Sequence, residues 1–181
     1  PGGLLEEMPI ETVQSVMDIN VMGVIHGIRA ALPLLKTTEN ALCISTSSSV
    51  ATFGHAMRAA YTASKFAVKG LTEALSLELE QYDIRTADVL PGCIDTPMLR
   101  GETAKGAGKP FELSMLDRLP KEGPYRLMPA SAIADAVWEA YLDSRRIHFY
   151  VPEEVGDTDR VKATDIQAAR SEIFDFLFRP R

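Results

Sequence analysis

The chain has 181 residues, 46% apolar and 24% charged, with a formal net charge of −6. That length supports one domain with a real core, and the acidic balance with no basic cluster excludes a nucleic-acid surface. No apolar run approaches the roughly 20 residues of a membrane span.

The first predicted element is a long helix from Pro9 to Leu35. Val13, Val16, Met17, Val21, Val24, Ile25, Ile28, Leu32 and Leu35 recur at three- and four-residue steps along it. Pro33 is expected to bend or end it. Ala41 to Ser45 reads as a short buried parallel strand, and Ser47 to Gly54 as the loop leaving its carboxyl end. A second helix runs from Ala59 to Gln81, with Val68, Leu71, Leu75 and Leu79 as its large apolar stripe. Ala67, Gly70 and Ala74 form an adjoining stripe of small residues that permits close helix approach.

Ile84 to Leu90 reads as the next strand, broken by Pro91-Gly92. Met98 to Glu122 is mixed, and Gly101 to Gly108 reads as a flexible loop. A helix from Ser131 to Leu142 follows, with Ile133, Ala134, Val137, Trp138 and Tyr141 predicted on its inner side. His148 to Val151 is a final strand stopped by Pro152. Asp159 to Phe178 is predicted as one amphipathic helix. Trp138 and the Phe-rich end are expected in the core. Alternating helices and strands imply parallel pairing with right-handed crossovers, the second half of a doubly wound α/β domain.

Free thiols fit Cys43 and Cys93 better than a disulfide. His26, His55 and His148 lack metal-ligand spacing. With no signal-peptide pattern visible, the expected location is cytoplasmic.

The most informative motif is Tyr61-Thr-Ala-Ser-Lys65. Residues four apart share a helix face, so a phenol and an ammonium reach one small volume. A fixed cation favours the phenolate, which suits a phenol for acid–base work. Ser48 lies thirteen residues earlier, within Ile44-Ser-Thr-Ser-Ser-Ser-Val50. Asn20 lies upstream in Asp18-Ile-Asn-Val-Met-Gly23, in a helix interior that asparagine disfavours. Downstream comes Leu90-Pro-Gly-Cys-Ile-Asp-Thr-Pro-Met98.

These four elements, in this order and at these separations, resemble the short-chain dehydrogenases/reductases. The resemblance is close from the start to about Met98 and looser to about Pro152. It implies a Rossmann-like doubly wound parallel sheet in three α/β/α layers. It implies hydride exchange between NAD or NADP and a small-molecule carbonyl/alcohol substrate. It gives Tyr61 the acid/base role and has Lys65 lower the phenol's pKa and hold the nicotinamide ribose. It selects Ser48 among Ser45, Ser47, Ser48 and Ser49 to hold the substrate oxygen, leaving Ser47 and Ser49 as local turn residues. Asn20 would hold a water linking Lys65 to solvent.

By the same resemblance, Pro91, Gly92, Ile94 and Thr96 form the nicotinamide loop, with Asp95 a solvated charge. Gly54 falls at a family glycine. His55, Met57 and Arg58 would line the substrate entrance, and Pro97 to Met128 the lid. Homodimers or homotetramers are expected through the two long helices, with no nucleic-acid or membrane partner. No G-x-G-x-x-G or G-x-x-x-G-x-G occurs in the chain. The 181 residues are therefore expected to be one partial cofactor-binding domain, the catalytic half, lacking the phosphate loop and inactive alone. The rival expectation is a non-catalytic half-domain that serves as a structural or partner-binding piece. A sugar-nucleotide epimerase also pairs a tyrosine with a lysine, but the compact segment after Thr96 and the short C-terminus argue against it.

Overall fold

In a computed structural model, residues 2–97, 99–100 and 119–179 are described. The glycine-rich run Gly101 to Gly108 and much of the expected lid lie outside them. The first helix comes in three sections: α1 (Ile10–Met17), a π-helical turn (Asp18–Met22) and α2 (Gly23–Leu35). Its predicted apolar positions all face inward to some degree, from Val13 to Leu35. Pro33 sits in the last turn, where the lost N–H bond ends the helix two residues later. The continuous stretch Ile10–Leu35 spans 26 residues at a hydropathy of 1.2, long and apolar enough by composition to cross a membrane. That corrects the expectation that no segment has such a length. In the fold, Ile28, Leu32 and Leu35 instead pack on the core beneath β1.

The strands are β1 (Leu42–Thr46), β2 (Arg85–Pro91) and β3 (His148–Val151), all parallel in the order β1-β2-β3. Cys43 pairs with Thr86, Ile44 with Ala87, Asp88 with His148 and Val89 with Phe149. Parallel partners point to the same face, so the two faces can be read off the register. On one face Ala41, Cys43 and Ile84 meet Leu75 of α3 (Ala59–Glu78) and Leu79 at its C-cap, together with α2. On the other, Ala87, Val89, Phe149 and Val151 meet Ala136 and Ala140 of α4 (Ser131–Leu142). This is a Rossmann-like α/β fold with helices on both faces of a parallel sheet.

Two expectations about this architecture fail. Both crossovers step the same way across the sheet, yet α3 and α4 lie on opposite faces, so they have opposite hands. At most one is right-handed. The hand rule rests on a compact strand–helix–strand unit, and the connection from Gly92 to Ile147 is much longer than one helix. The inner face of α4 is the predicted one only at Ile133. Ala132, Ile133, Ala136 and Ala140 face the sheet, while Trp138 is 63% exposed and Ala134, Val137, Tyr141 and Leu142 also point outward. Alanines let the helix axis approach the sheet closely; a tryptophan there would hold it off.

The chain's end is two helices rather than one: α5 (Val155–Thr164) and α6 (Ile166–Phe178). Asp165 breaks them and caps α6, accepting from Gln167 N and Ala168 N at 2.9 Å. Ile173 is buried and Phe176 stacks on Tyr125 at 3.8 Å, but Phe174 and Phe178 are exposed. The aromatic end is thus only partly core.

Candidate active site

Ligands of open α/β sheets bind outside the carboxyl ends of the strands. The loops after β1 and β2 both emerge there. Ser48 starts the first loop in extended backbone and leads into a 3-10 turn, Ser49–Ala51. Met57, at φ 61, turns the chain into α3, whose first turn carries Tyr61.

Tyr61 and Lys65 share the α3 face that meets this loop. The Lys65 ammonium lies 5.7 Å from the Tyr61 ring centroid and donates to the Thr46 carbonyl at 2.9 Å. The lysine's long stem is therefore anchored to the last residue of β1. Burial pushes the Lys65 pKa below the usual lysine value. Desolvation disfavours the ammonium, and an added negative partner offsets that cost.

Ser48 is buried, and its Oγ accepts from Val50 N at 3.4 Å. That bond leaves the hydroxyl's own hydrogen to be donated elsewhere. Ser47 departs from its expected local-turn role. It donates across to the Lys65 carbonyl at 2.9 Å, tying the loop to α3. The reason is direction: a buried hydroxyl aimed at the helix finds a helical carbonyl before its own turn.

Asn20 sits in the π-helical turn, a form that recurs at functional sites. Its Nδ2 donates to Ser64 Oγ at 3.0 Å, and that hydroxyl donates to the Tyr61 carbonyl at 2.7 Å. Ser64 is thus a site residue that motif reading passed over, although it lies inside Tyr61–Lys65. The Thr46 carbonyl was equally hidden, since a backbone acceptor leaves no mark in residue identity.

The second loop is tied to its neighbours by backbone contacts. A Cβ at Gly92 would meet the Val151 carbonyl at 3.2 Å and the Pro124 carbonyl at 3.3 Å, a tight approach to two backbone groups that favours glycine. Cys93 and Asp95 exchange backbone bonds with Met128, and Ile94 bridges to it. The Thr96 hydroxyl donates to the Ile94 carbonyl at 3.3 Å and accepts from Leu99 N at 3.2 Å. Asp95 is not a lone solvated charge: Arg100 holds both its oxygens, at 2.8 and 2.9 Å.

His55 and Cys93 line the space beside Arg58. Burial first, and the Arg58 charge second, pull the His55 pKa down to about 4, so its ring is neutral at neutral pH. Burial pushes the Cys93 thiol up, with Arg58 opposing. Both cysteines are free. Two open grooves of about 420 and 460 Å³, lined by residues such as Asp83, Arg85 and Ser144, lie at the opposite, amino end of the sheet. They are remote from these groups.

The family model described as "short chain dehydrogenase" matches residues 2–107. A 3-alpha-(or 20-beta)-hydroxysteroid dehydrogenase of Mycobacterium bovis is 36% identical over 121 residues, 63% of this chain and 46% of that protein. A 2-(R)-hydroxypropyl-CoM dehydrogenase of Xanthobacter autotrophicus is 31% identical over 136 residues, 75% of this chain and 52% of that one. The chain thus spans about half the length of these curated relatives. Among solved structures, a short chain dehydrogenase of Burkholderia cenocepacia in complex with NADP superposes with a TM-score of 0.72. It is 25% identical, and the match covers 95% of this chain and 65% of that one.

Proposed function

We propose that this chain, which belongs to the short chain dehydrogenase family, works in an NAD- or NADP-dependent oxidoreductase that interconverts a carbonyl and an alcohol. The observation that carries this reading is the Tyr61/Lys65 pair at the carboxyl end of β1, with the ammonium held 5.7 Å from the ring. The relatives' names point to alcohol/ketone chemistry, and the Burkholderia structure holds NADP.

The residues present suit the nicotinamide-ribose end of such a cofactor. Lys65 spends one hydrogen on Thr46 and has two more for ribose hydroxyls. Ile94 and Thr96, on the loop pinned to Met128, would face the carboxamide, with Pro91 and Gly92 setting the loop's exit from β2. When bound, the cofactor supplies or accepts the hydride.

The chain's own residues handle the proton. Tyr61 gives its hydroxyl proton to the substrate oxygen in reduction and takes it back in oxidation. The Lys65 charge favours the phenolate left behind. Ser48 donates its remaining hydrogen to the same oxygen and stabilises charge developing there. Asn20 and Ser64 hold the first turn of α3 in place, and Asn20 stands where a water could relay protons to Lys65. His55, neutral and partly buried, contributes shape rather than charge to the substrate side. The outward small stripe of Gly70 and Ala74 on α3 suits a helix of a second copy.

The test is Tyr61→Phe in the intact protein, assayed with both cofactors on a panel of secondary alcohols and ketones. Turnover is expected to vanish while cofactor titration stays nearly unchanged. Turnover within a factor of a few of the parent would overturn the assignment.

A further inference from the structure

Behind the site, two turns further along α3, lies a buried charge cluster that the proposed chemistry does not use. Asp88 projects from the centre of β2 with its side chain fully buried. His148, its register partner on β3, places Nδ1 at 2.7 Å from Asp88 Oδ1. The other ring nitrogen, Nε2, lies 3.2 Å from Glu73 Oε1 on α3. The imidazole therefore bridges two carboxylates, one fully buried and one about half exposed.

Each contact needs one hydrogen to be a bond. A neutral imidazole carries only one, and an ionised carboxylate brings none. With both acids ionised and the ring neutral, one contact would set a lone pair against a carboxylate oxygen. The surrounding charges do not remove that conflict. α3 supplies Lys69 and Glu73, β3 supplies Tyr150, and α5 supplies Asp159 and Lys162. Lys69, Lys162 and the Tyr150 hydroxyl all converge on Asp159, at 2.8 Å for the hydroxyl and 3.3 Å for Lys162. Formally, Lys69 and Lys162 against Glu73, Asp88 and Asp159 leave one negative charge uncompensated. Among the described residues, Asp88 Oδ2 has no hydrogen-bond partner.

We propose that Asp88, His148 and Glu73 form a clamp that closes only while it holds one extra proton, tying α3 to β2 and β3. The proton belongs to the cluster as a whole. Burial of Asp88, which disfavours its charged form, acts to retain it. When the proton leaves to solvent, the ring keeps one hydrogen for the buried Asp88. Glu73, on the exposed side, then loses its partner, and this direct tie between α3 and β3 opens. No covalent bond changes. The clamp is thus a pH-sensitive fastening on the helix that carries Tyr61 and Lys65, whatever the substrate.

The sign follows from linkage. An unfolded histidine titrates near ~6.5. On this proposal the clamp keeps its extra proton above that value, where the unfolded chain has lost it. Stability is then full below about 6.5 and falls as pH rises, until the clamp itself deprotonates. The test is denaturant unfolding of the intact protein at intervals from neutral to pH 9.5. The parent is compared with Glu73→Gln, whose amide can donate to or accept from the ring without an extra proton. Relative to Glu73→Gln, the parent's folding constant is expected to fall by up to tenfold per pH unit in this window. Asp88→Asn, which also removes the need for the proton, is expected to flatten the curve in the same way. Parallel curves for the parent and Glu73→Gln would overturn the proposal, and that result needs neither Asp88→Asn to fold nor the enzyme to turn over.

Discussion

α3 and α4 cover opposite faces of one small sheet, and their hydrogen bonds hold them at opposite ends. α3 buries Val68, Leu75 and Leu79, and it is also fastened by side-chain hydrogen bonds. Ser47 reaches the Lys65 carbonyl, Asn20 reaches Ser64, and Lys65 reaches Thr46. α4 lies on the sheet through Ala132, Ile133, Ala136 and Ala140, with its aromatic residues turned out, and Arg85 of β2 donates to its Ala140 and Tyr141 carbonyls at 3.4 and 2.9 Å. The bonds on α3 gather at its first turns, beside Tyr61 and Lys65, whereas those on α4 hold only its carboxyl end. Under the proposed function α3 has a phenol and an ammonium to place, and support at that end suits the task.

The largest expected effects lie on α3. Under the proposed function, Tyr61→Phe removes the general acid–base, a change worth on the order of 10²–10⁴-fold or more in rate. Lys65→Met should harm both turnover and cofactor binding, since one ammonium serves both. In the oxidative direction the rate should rise with pH through an apparent pKa below the free tyrosine value near ~10, because the phenolate is the active form. A rate flat with pH, where chemistry limits turnover, would break the comparison at its strongest point. By contrast, the 181-residue chain alone is expected to bind NAD(H) or NADP(H) weakly in calorimetric titration. The pyrophosphate normally rests on backbone N–H groups after a glycine-rich turn, and no such motif occurs in it.

On α4 the sensitive positions are the small ones. Ala140→Leu adds three carbons where the helix touches the sheet and is expected to cost about 1–3 kcal/mol, read by denaturant unfolding. Loss well under that would mean that α4 stands off the sheet. A smaller effect belongs to His55. Its folded pKa of about 4 lies below the ordinary histidine value. The ring must stay neutral to remain buried, so its contribution is present above about 6.5 and is lost as pH falls through about 4. His55→Asn should flatten the acid limb of a stability–pH curve, and an unchanged limb would show the ring to be freely solvated.

How much was legible follows the same division. The strands, α3 and the inward face of the first helix came from periodicity, because large apolar residues mark a buried stripe. The candidate site was proposed from Tyr61, Lys65, Ser48 and Asn20, whose residue types and spacing can be read in a single chain. What escaped was written in small residues or in the backbone. Alanines carry little hydropathic signal, so the rule that picks large residues turned α4 the wrong way. Asp165 at the N-cap of α6 was visible, but one continuous amphipathic pattern hid the break. The π-helical turn, the Thr46 carbonyl and the opposite hands of the crossovers leave no pattern in a single chain. The Asp88–His148 pairing depends on register, which brings together residues 60 apart.

The smallest expected effect is at Trp138, and its smallness makes it the sharpest check on α4. Trp138 is 63% exposed and stacks on Tyr141 at 5.7 Å, with Arg85 lying 5.4 Å from the Tyr141 ring. Truncation to alanine loses a surface stacking contact, worth on the order of 0.5–1.5 kcal/mol when well packed. It gains alanine's better helix propensity, worth up to about 0.7 kcal/mol. The two oppose each other, so the net change should stay within about 0.5 kcal/mol, as for ordinary surface positions. Had Trp138 been core, as its size suggests from sequence, the same truncation would cost about 3–5 kcal/mol. Thermal or denaturant unfolding separates these outcomes easily. A large loss that vanishes on dilution would mean instead that another copy of the chain covers this face.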